Sequence, residues 1–554
     1  MINCFVFRMQ EIRMCDKECL NTMSFDSQKL SPSHVIKDTV ATITSSALRF
    51  LSGTVISRIT GLLRDMVLAF CFGTNEAIAA LFVAFRLSQV CRRLFGEGAL
   101  QSAFVPVFEE LRSDSEARAF SFFRNTSVFL SLFLFFFISM TAIALFAVQK
   151  YVAFQPDNLE IVNLTIILLP TLFFICLFGL NISLLQCQKR YFISGVAPAF
   201  FNVAVIVGSI VYRNQDPRKA IPQVALFLIL GCALQWFSTF IPVLKILKGT
   251  LKEHFFKGLE LFSKDLKKLI KPITLGFLGA GATQVNNAID SLFARYADLE
   301  GPAQLWYALR IEQLPLAFFG IAFSGALLPP LARSINLGKV SEYLHFLEFA
   351  VRKVFALLIP STCLVLVVAN PLISSIYGYG DFDAHSVLST SRCLHGYILG
   401  LCPQGIIIII AAAFYAKKNY RIPAIGAIFS LVLNVLLNSL FIFAFDMGAQ
   451  GVAFATSISA WVNVLFLYFY VIKDFGQIIT PDGKKEIAKV FAVSSLVFII
   501  LLLADGNLNQ RAYSSYTLLF SQTSIFITLF LLLSFLFKAK DIQGLFVLAR
   551  KTLS

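Results

Sequence analysis

Apolar runs of about 20 residues, separated by short polar connections, recur along nearly the whole chain. That is the length an α-helix needs to cross a hydrocarbon core of roughly 30 Å. The pattern predicts about fourteen spans. The first set is 44–71, 77–107, 122–148, 160–186, 192–213, 222–247 and 270–296. The second is 304–332, 347–377, 387–416, 423–446, 449–472, 487–504 and 515–537. Polar residues interrupt the first two spans and the seventh and eighth. Residues 1–33 are polar and mixed in charge, with no long apolar stretch before a cleavage site, so no secretory signal is expected.

Composition agrees with an all-α polytopic membrane protein. Of 554 residues, 57% are hydrophobic, 59 are Phe and only 14% are charged, where a soluble chain carries about a quarter. The short loops set the expected topology through their Lys and Arg. The connection from Lys245 to Lys271 holds eight lysines. Lys189 and Arg190, Arg333 and Lys339, Lys417, Lys418 and Arg421, and Lys484, Lys485 and Lys489 mark further basic loops. All fall on one side if both termini are cytoplasmic; Arg213, Arg218 and Lys219 are the exception. The leaner YGYGDFD loop after Ile376 then lies outside. The net charge of +15 reads as this topogenic bias and as attraction to anionic inner-leaflet lipid. It does not read as nucleic-acid binding, because the basic residues are scattered through hydrophobic loops. The eleven cysteines form no CxxC pair, and Cys15 and Cys19 lack neighbouring histidines; reduced thiols and no metal are expected.

An internal echo suggests the architecture. FRLSQVCRRLFGEGALQSAFVPVFEEL, from Phe85, matches LRIEQLPLAFFGIAFSGALLPPLARSI, from Leu309, at an offset of 224 residues. Arg86 aligns with Arg310, Gln89 with Gln313, Phe95 with Phe319, Gly96 with Gly320 and Pro106 with Pro330. QKRYFISGVAPAFFN, near Lys189, echoes AKKNYRIPAIGAIFS, near Lys417, slightly out of that register. Two echoes in the same order predict two pseudo-symmetric six-helix bundles with parallel repeats. The expected divisions are a cytoplasmic extension at 1–40, bundles at 41–250 and 251–475, and two additional helices with a tail at 476–554.

The candidate chemistry lies in charges where lipid-facing helices carry none. SRITGLLRD places Arg58, Arg64 and Asp65 inside the first span; Arg92, Arg93 and Glu97 follow in the second. The second half has Leu316 and Ala317 where the first has Arg92 and Arg93. Arg58, Arg64 and Arg92 exposed to lipid at mid-depth would cost on the order of 8–10 kcal/mol together. They are expected to face a wet cavity or to pair internally. Arg58 and Asp65 are seven apart and share a helix face, with Arg64 about 120° round; Arg93 and Glu97, four apart, can bridge. Arg86 and Arg93 read as packing struts. In the seventh span, Gln284, Asn286, Asn287 and Asp290 are embedded polar groups, and Arg295 lies near the outer end. The amides also suit plain interhelical hydrogen bonding, and Arg295 suits snorkelling.

SRITGLLRD, FVAFRLSQVCRRLFGEGALQSAFVPVFEEL, LRIEQLPLAFFG and AAAFYAKKNYRIP resemble the MurJ/MviN family of lipid II flippases. That family sits within an exporter superfamily shared with MATE drug exporters. The resemblance implies export of an undecaprenyl-diphosphate-linked glycopeptide from the inner to the outer leaflet of a bacterial cytoplasmic membrane. It implies that Arg58, Arg64, Arg92 and Arg295 line a cavity that engages the diphosphate. Asp65 and Glu97 would organise those arginines, with Gln284, Asn286 and Asp290 supporting. It also implies that the two last helices form a groove for the lipid tail, and that cell-wall synthesis or division proteins are partners. One position departs: Ala79 stands before the ALFVAF run, where many members carry an acid.

The physical reading is consistent with this. A diphosphate cannot cross hydrocarbon unaided, and guanidinium groups match phosphate oxygens with paired donors. No turnover chemistry is expected, since the five histidines form no nucleophile or metal cluster in the spans, and no cofactor is expected. The membrane potential or a sodium or proton gradient, with Asp290 or Asn434 as the ion-site candidate, is the expected driving force. The alternatives are a MATE-like exporter of small cations, which a basic cavity disfavours, a flippase for another polyprenyl-linked glycan, a membrane enzyme, and a non-transporting scaffold.

Overall fold

The computed structural model describes residues 40–544, apart from 96–98, 154, 189, 252–258, 261–262, 322–326, 328–329, 332, 336, 418 and 510–513. The expected extension at 1–40 therefore lies almost wholly outside the described residues. Every described regular element is helical. In chain order they are α1 (Val40–Phe72), α2 (Glu76–Phe95), α3 (Ala99–Asp114), α4 (Glu116–Tyr151), α5 (Pro156–Leu168) and α6 (Pro170–Cys187). Next come α7 (Tyr191–Tyr212), α8 (Pro217–Leu251), α9 (Lys264–Ala297), α10 (Gly301–Pro315), α11 (Val340–Tyr377) and α12 (Ala384–Ile398). The last are α13 (Leu401–Ala416), α14 (Arg421–Ser439), α15 (Gly448–Phe475), α16 (Pro481–Asn509) and α17 (Ser515–Leu536).

Among the described residues, nine helices are individually long and apolar enough to cross a membrane, or ten if the bent pair α12–α13 counts as one. Four predicted spans fall outside that set, at 44–71, 77–107, 270–296 and 304–332. They are the same four that carry embedded polar groups.

Several predicted spans are broken rather than continuous. The span at 160–186 divides between α5 and α6, where Pro170 withdraws an N–H from the helical ladder. The span at 387–416 bends by 40° between α12 and α13, beside Gly400 and Pro403. The span at 304–332 ends its α-helix at Pro315 and continues as a π-turn, Leu316–Ile321. A second π-turn, Leu440–Ala444, follows α14. The span at 77–107 divides between α2 and α3, and α3 runs on to Asp114.

Packing fixes which helices lie together. α1 lies along α7, and α7 along α8. Gly53 permits this: a Cβ there would sit 2.8 Å from the Phe192 carbonyl and 2.9 Å from the Val196 amide. α9 packs on α2 and α3 on one side and on α14 on the other. α16 and α17 pack on α11. Phe104, Phe108, Phe120 and Phe123 fill the interior beneath α4, while Phe135, Phe136, Met140 and Phe146 of α4 face outward, as lipid contact requires. Among the described residues the cysteines are free thiols.

The C-terminal end is tied to α11 by ions. Asp541 takes Arg352 Nε at 3.0 Å and Nη2 at 3.1 Å. Lys353 Nζ donates to its carboxylate at 3.1 Å and its carbonyl at 2.9 Å. The Lys353 and Asp541 side chains are each only 7% exposed. Removing one member of a buried pair strands the other, at a cost of about 3–5 kcal/mol. Asp541→Ala is therefore expected to lower the melting temperature in detergent and to open the C-terminal segment to trypsin. An unchanged melting curve would show that the tie holds nothing.

Candidate functional site

The charge centre is built where α1 meets α7 and α10. Asn202 of α7 donates to the Ser57 carbonyl at 3.1 Å and to Thr60 Oγ1 at 3.0 Å. Its own Oδ1 accepts Arg64 Nη1 at 3.0 Å. Arg64 Nε and Nη2 reach Asp65 Oδ1 at 3.0 and 2.7 Å. The other carboxylate oxygen of Asp65 meets Arg310 Nε at 3.1 Å. One buried acid thus joins two guanidinium groups from different halves of the chain.

Aromatic faces complete the wall. The Arg310 guanidinium lies 4.6 Å from the centroid of Trp306, and Arg86 lies 5.6 Å from it. Trp306 stacks on Phe82 at 4.5 Å, and Arg64 sits 5.6 Å from Phe201. Arg86 donates to the Asn287 carbonyl at 3.1 Å, the bracing contact expected of it, but its Nη2 is buried without a hydrogen-bond partner. Three guanidinium groups gather here, and two of them share the one carboxylate. The Arg64 and Asp65 side chains are 10% and 3% exposed, whereas Arg310 is 36% exposed and offers the open face.

The other arginines are placed differently. Arg58 is exposed on α1. Arg58 shares a helix face with Asp65 by its seven-residue spacing, but Asp65 turns to Arg64 and Arg310, because long guanidinium side chains reach across helix faces. Arg92, Arg93 and Glu97 have side chains outside the described residues. Arg295 lies apart, at the end of α9, donating to the Glu76 carbonyl at 2.8 Å and the Leu299 carbonyl at 2.5 Å. Its charged neighbours are Glu160, Asp157, Glu76 and Arg218.

A second polar centre surrounds Asp290, which is 1% exposed. Asn434 and Asn438 of α14 donate to its Oδ1 at 2.6 and 2.8 Å. Asn286 and Thr456 donate to its Oδ2 at 2.9 and 3.1 Å. Asn434 also donates to Asn286 Oδ1 at 2.8 Å. The Oδ1 atoms of Asn434 and Asn438 are buried without partners. Gln284, further up α9, is half-buried.

The two halves meet again at the face carrying the YGYGDFD loop. Thr74 Oγ1 donates to Glu300 at 2.8 Å and lies 2.9 Å from Ser386 Oγ. The Asp381 amide donates to the Phe70 carbonyl at 3.0 Å. Gly73 and Gly380 have φ of +54° and +65°; a Cβ on either would collide with the facing backbone, the Asp381 or the Phe70 carbonyl. Hydrogen bonds from the Ser386 amide and hydroxyl hold the Asp383 carboxyl below its usual range. On the opposite flank, a cleft of about 360 Å³ opens between α11 and α17, lined by Phe319, Pro360, Leu364, Phe526, Phe530 and Ile542.

Two members of the charge centre escaped the sequence reading. Arg310 was visible as the repeat partner of Arg86, and its recurrence in the second half was a usable signal. Asn202 carried none, because an asparagine between apolar neighbours looks the same whether it glues helices or orients a cation.

The chain is similar to known proteins over most of its length. A family profile described as "Lipid II flippase MurJ" matches residues 68–525. The probable lipid II flippase MurJ of Chlamydia trachomatis is 32% identical over 469 residues, 84% of this chain and 85% of its own length. That of Thermotoga maritima is 28% identical over 501 residues, 90% and 97% of the two chains. A solved lipid II flippase MurJ in an inward closed conformation superposes with a TM-score of 0.72 at 25% identity, covering 89% of this chain and 99% of that one. An inward-facing MATE family multidrug transporter shares the fold, with a TM-score of 0.58 at 15% identity, covering 80% and 98%.

The glycine contacts generate a test. Gly380→Ala forces a left-handed residue, costing roughly 1–2 kcal/mol, and pushes against Phe70. The expected result is a several-fold rise in labelling of a cysteine placed at Ser386 by an impermeant thiol reagent. Unaltered labelling would mean that this contact does not hold the face shut.

Proposed function

The chain belongs to the lipid II flippase MurJ family, and from this premise we propose that the Arg64–Asp65–Arg310 centre is where the diphosphate of the lipid headgroup is held. The observation that carries the reading is the single buried carboxylate shared by guanidinium groups from both halves. A diphosphate brings more negative charge than Asp65 supplies, in a place where water competes weakly. It would draw on the open face of Arg310 and the spare Nη2 of Arg86, with Arg58 and Arg92 as further cations on α1 and α2. Binding would loosen the Asp65 bridge between the halves. That change favours rocking of one bundle against the other, the motion expected of parallel-repeat transporters.

The contacts of Thr74, Glu300, Ser386 and Asp381 form the outer seal in this scheme, with both termini cytoplasmic. The polyprenyl chain stays in hydrocarbon and lies against the cleft between α11 and α17. Asp541 then braces the cytoplasmic end of that cleft through its ties to α11. A MATE-like exchange of small cations finds no support at this centre, since the excess charge is positive.

We further propose that the Asp290 centre couples an ion to the cycle. Its donor set fits a hard monovalent cation: one carboxylate, a Thr hydroxyl, and the Asn434 and Asn438 carbonyl oxygens that lack partners. Oxygen ligands of this kind are what such ions take, and a turn of each amide would direct its oxygen inward.

Arg64→Ala and Arg310→Ala are expected to abolish rescue of a bacterium depleted of its lipid II flippase, at unchanged protein levels, while Arg295→Ala is tolerated better. Normal rescue by either of the first two would remove the diphosphate assignment. Sodium is expected to raise the melting temperature of the wild type by simple linkage, and Asp290→Asn to erase that rise. A wild type indifferent to sodium would exclude the ion site.

A further inference from the structure

Glu312 has no place in the scheme so far. It lies on α10 two residues beyond Arg310, about 200° round the helix, so it points into the second half rather than towards Asp65. It is 0% exposed, and neither carboxyl oxygen has a hydrogen-bond partner. The neutral amide of Gln404, on α13, faces it. The first-half counterpart at the repeat offset is Ser88, a small hydroxyl satisfied by the Ala84 carbonyl. The acid is therefore a feature of this half alone.

The charged and titratable groups on neighbouring elements make their hydrogen bonds and ion pairs elsewhere than on Glu312. On its own helix, Arg310 is bound to Asp65. On α2, Arg86 donates to the Asn287 carbonyl. On α9, Asp290 is satisfied by its own donors. On α12, Tyr397 is close enough to feel Glu312, but neither Glu312 oxygen accepts from it. Among the described residues, no charged side chain of α11 or α15 is hydrogen-bonded to Glu312. A carboxylate in that position would be a buried charge faced by a neutral amide and paired with no cation. A carboxylic acid fits.

We propose that Glu312 is a proton-binding site, loaded in this conformation and emptied when α10 moves; the proposal rests on the flippase reading above. The local backbone suits such a role. Pro315 cannot donate to the Ile311 carbonyl, and the helix then loosens into the π-turn Leu316–Ile321, a feature that recurs at functional sites. The π-turn is pressed on α13, where a Cβ on Gly320 would lie 3.5 Å from Gly405 Cα. When the Asp65–Arg310 bridge releases, α10 shifts against α13 and carries Glu312 with it. Contact with water then allows Glu312–COOH to dissociate into carboxylate and a free proton. The carboxylate cannot return to its dry position until a proton is bound again. Proton release is thereby tied to the conformational cycle.

The test uses the full chain in lipid vesicles. Infrared difference spectra of wild type and Glu312→Gln read the carboxylic-acid C=O stretch directly, without any transport. The expected result is an acid band in the wild type that fades as pH rises and is missing from Glu312→Gln. In the same vesicles, wild-type lipid II transport should depend on pH, and Glu312→Gln should transport slowly with a flat pH profile. Absence of the acid band overturns the proposal even if transport is normal, which leaves the flippase reading intact. A band that never titrates, or a Glu312→Gln profile parallel to wild type, reduces Glu312 to a packing residue and overturns it equally. Absence of wild-type lipid II transport with a titrating band would instead count against the flippase reading, and the coupling proposed here would fall with it.

Discussion

A guanidinium group cannot shed its charge and cannot sit in hydrocarbon without an anion or water. That constraint organises the centre of the molecule around Asp65. By accepting Arg64 with one oxygen and Arg310 with the other, Asp65 lets two cations approach each other across the two halves. Asn202 turns the first guanidinium by taking its remaining nitrogen, and Trp306 supports the second. The acid does not neutralise the site. It lowers the repulsion enough for the site to assemble while leaving positive charge in excess.

The rest of the architecture can be read as what such a centre requires. Helices that carry charge must pack closely on partners, as α1 does on α7 over Gly53. Helices that move need places to bend, and these are found at Pro170, at the α12–α13 junction and at the π-turn after α10. The face at Gly73 and Gly380 is joined by backbone contacts too close for any side chain. Backbone contacts of that kind are broken by displacement as a unit and not by side-chain rotation.

Much of the fold was legible because lipid imposes one strong rule, a length of apolar helix, and the chain obeys it in most places. The rule weakens where helices carry function. At 160–186 the apolar run is continuous to the eye, yet Pro170 ends one helical segment and starts another. The candidate site was legible as far as its charges were out of place: Arg58, Arg64, Asp65 and Asp290 stand out against apolar neighbours. Who pairs with whom was not, because pairing depends on side-chain reach between helices distant in sequence. Helix-face arithmetic put Arg58 and Asp65 on one face and chose no partner. The contact with Arg310, 245 positions further along the chain, could be seen only once the helices were packed.

The long helix α9 touches α2 and α3 as well as α14, although the repeat assigns it to the second half. The internal echoes put a division of the sequence near residue 251, but packing runs across it through this helix. A cut through the sequence at that point would therefore pass through packed helices and not between separately packed parts. The second half carries, as its first helix, a beam already built into the wall of the first, so neither half is a free-standing machine.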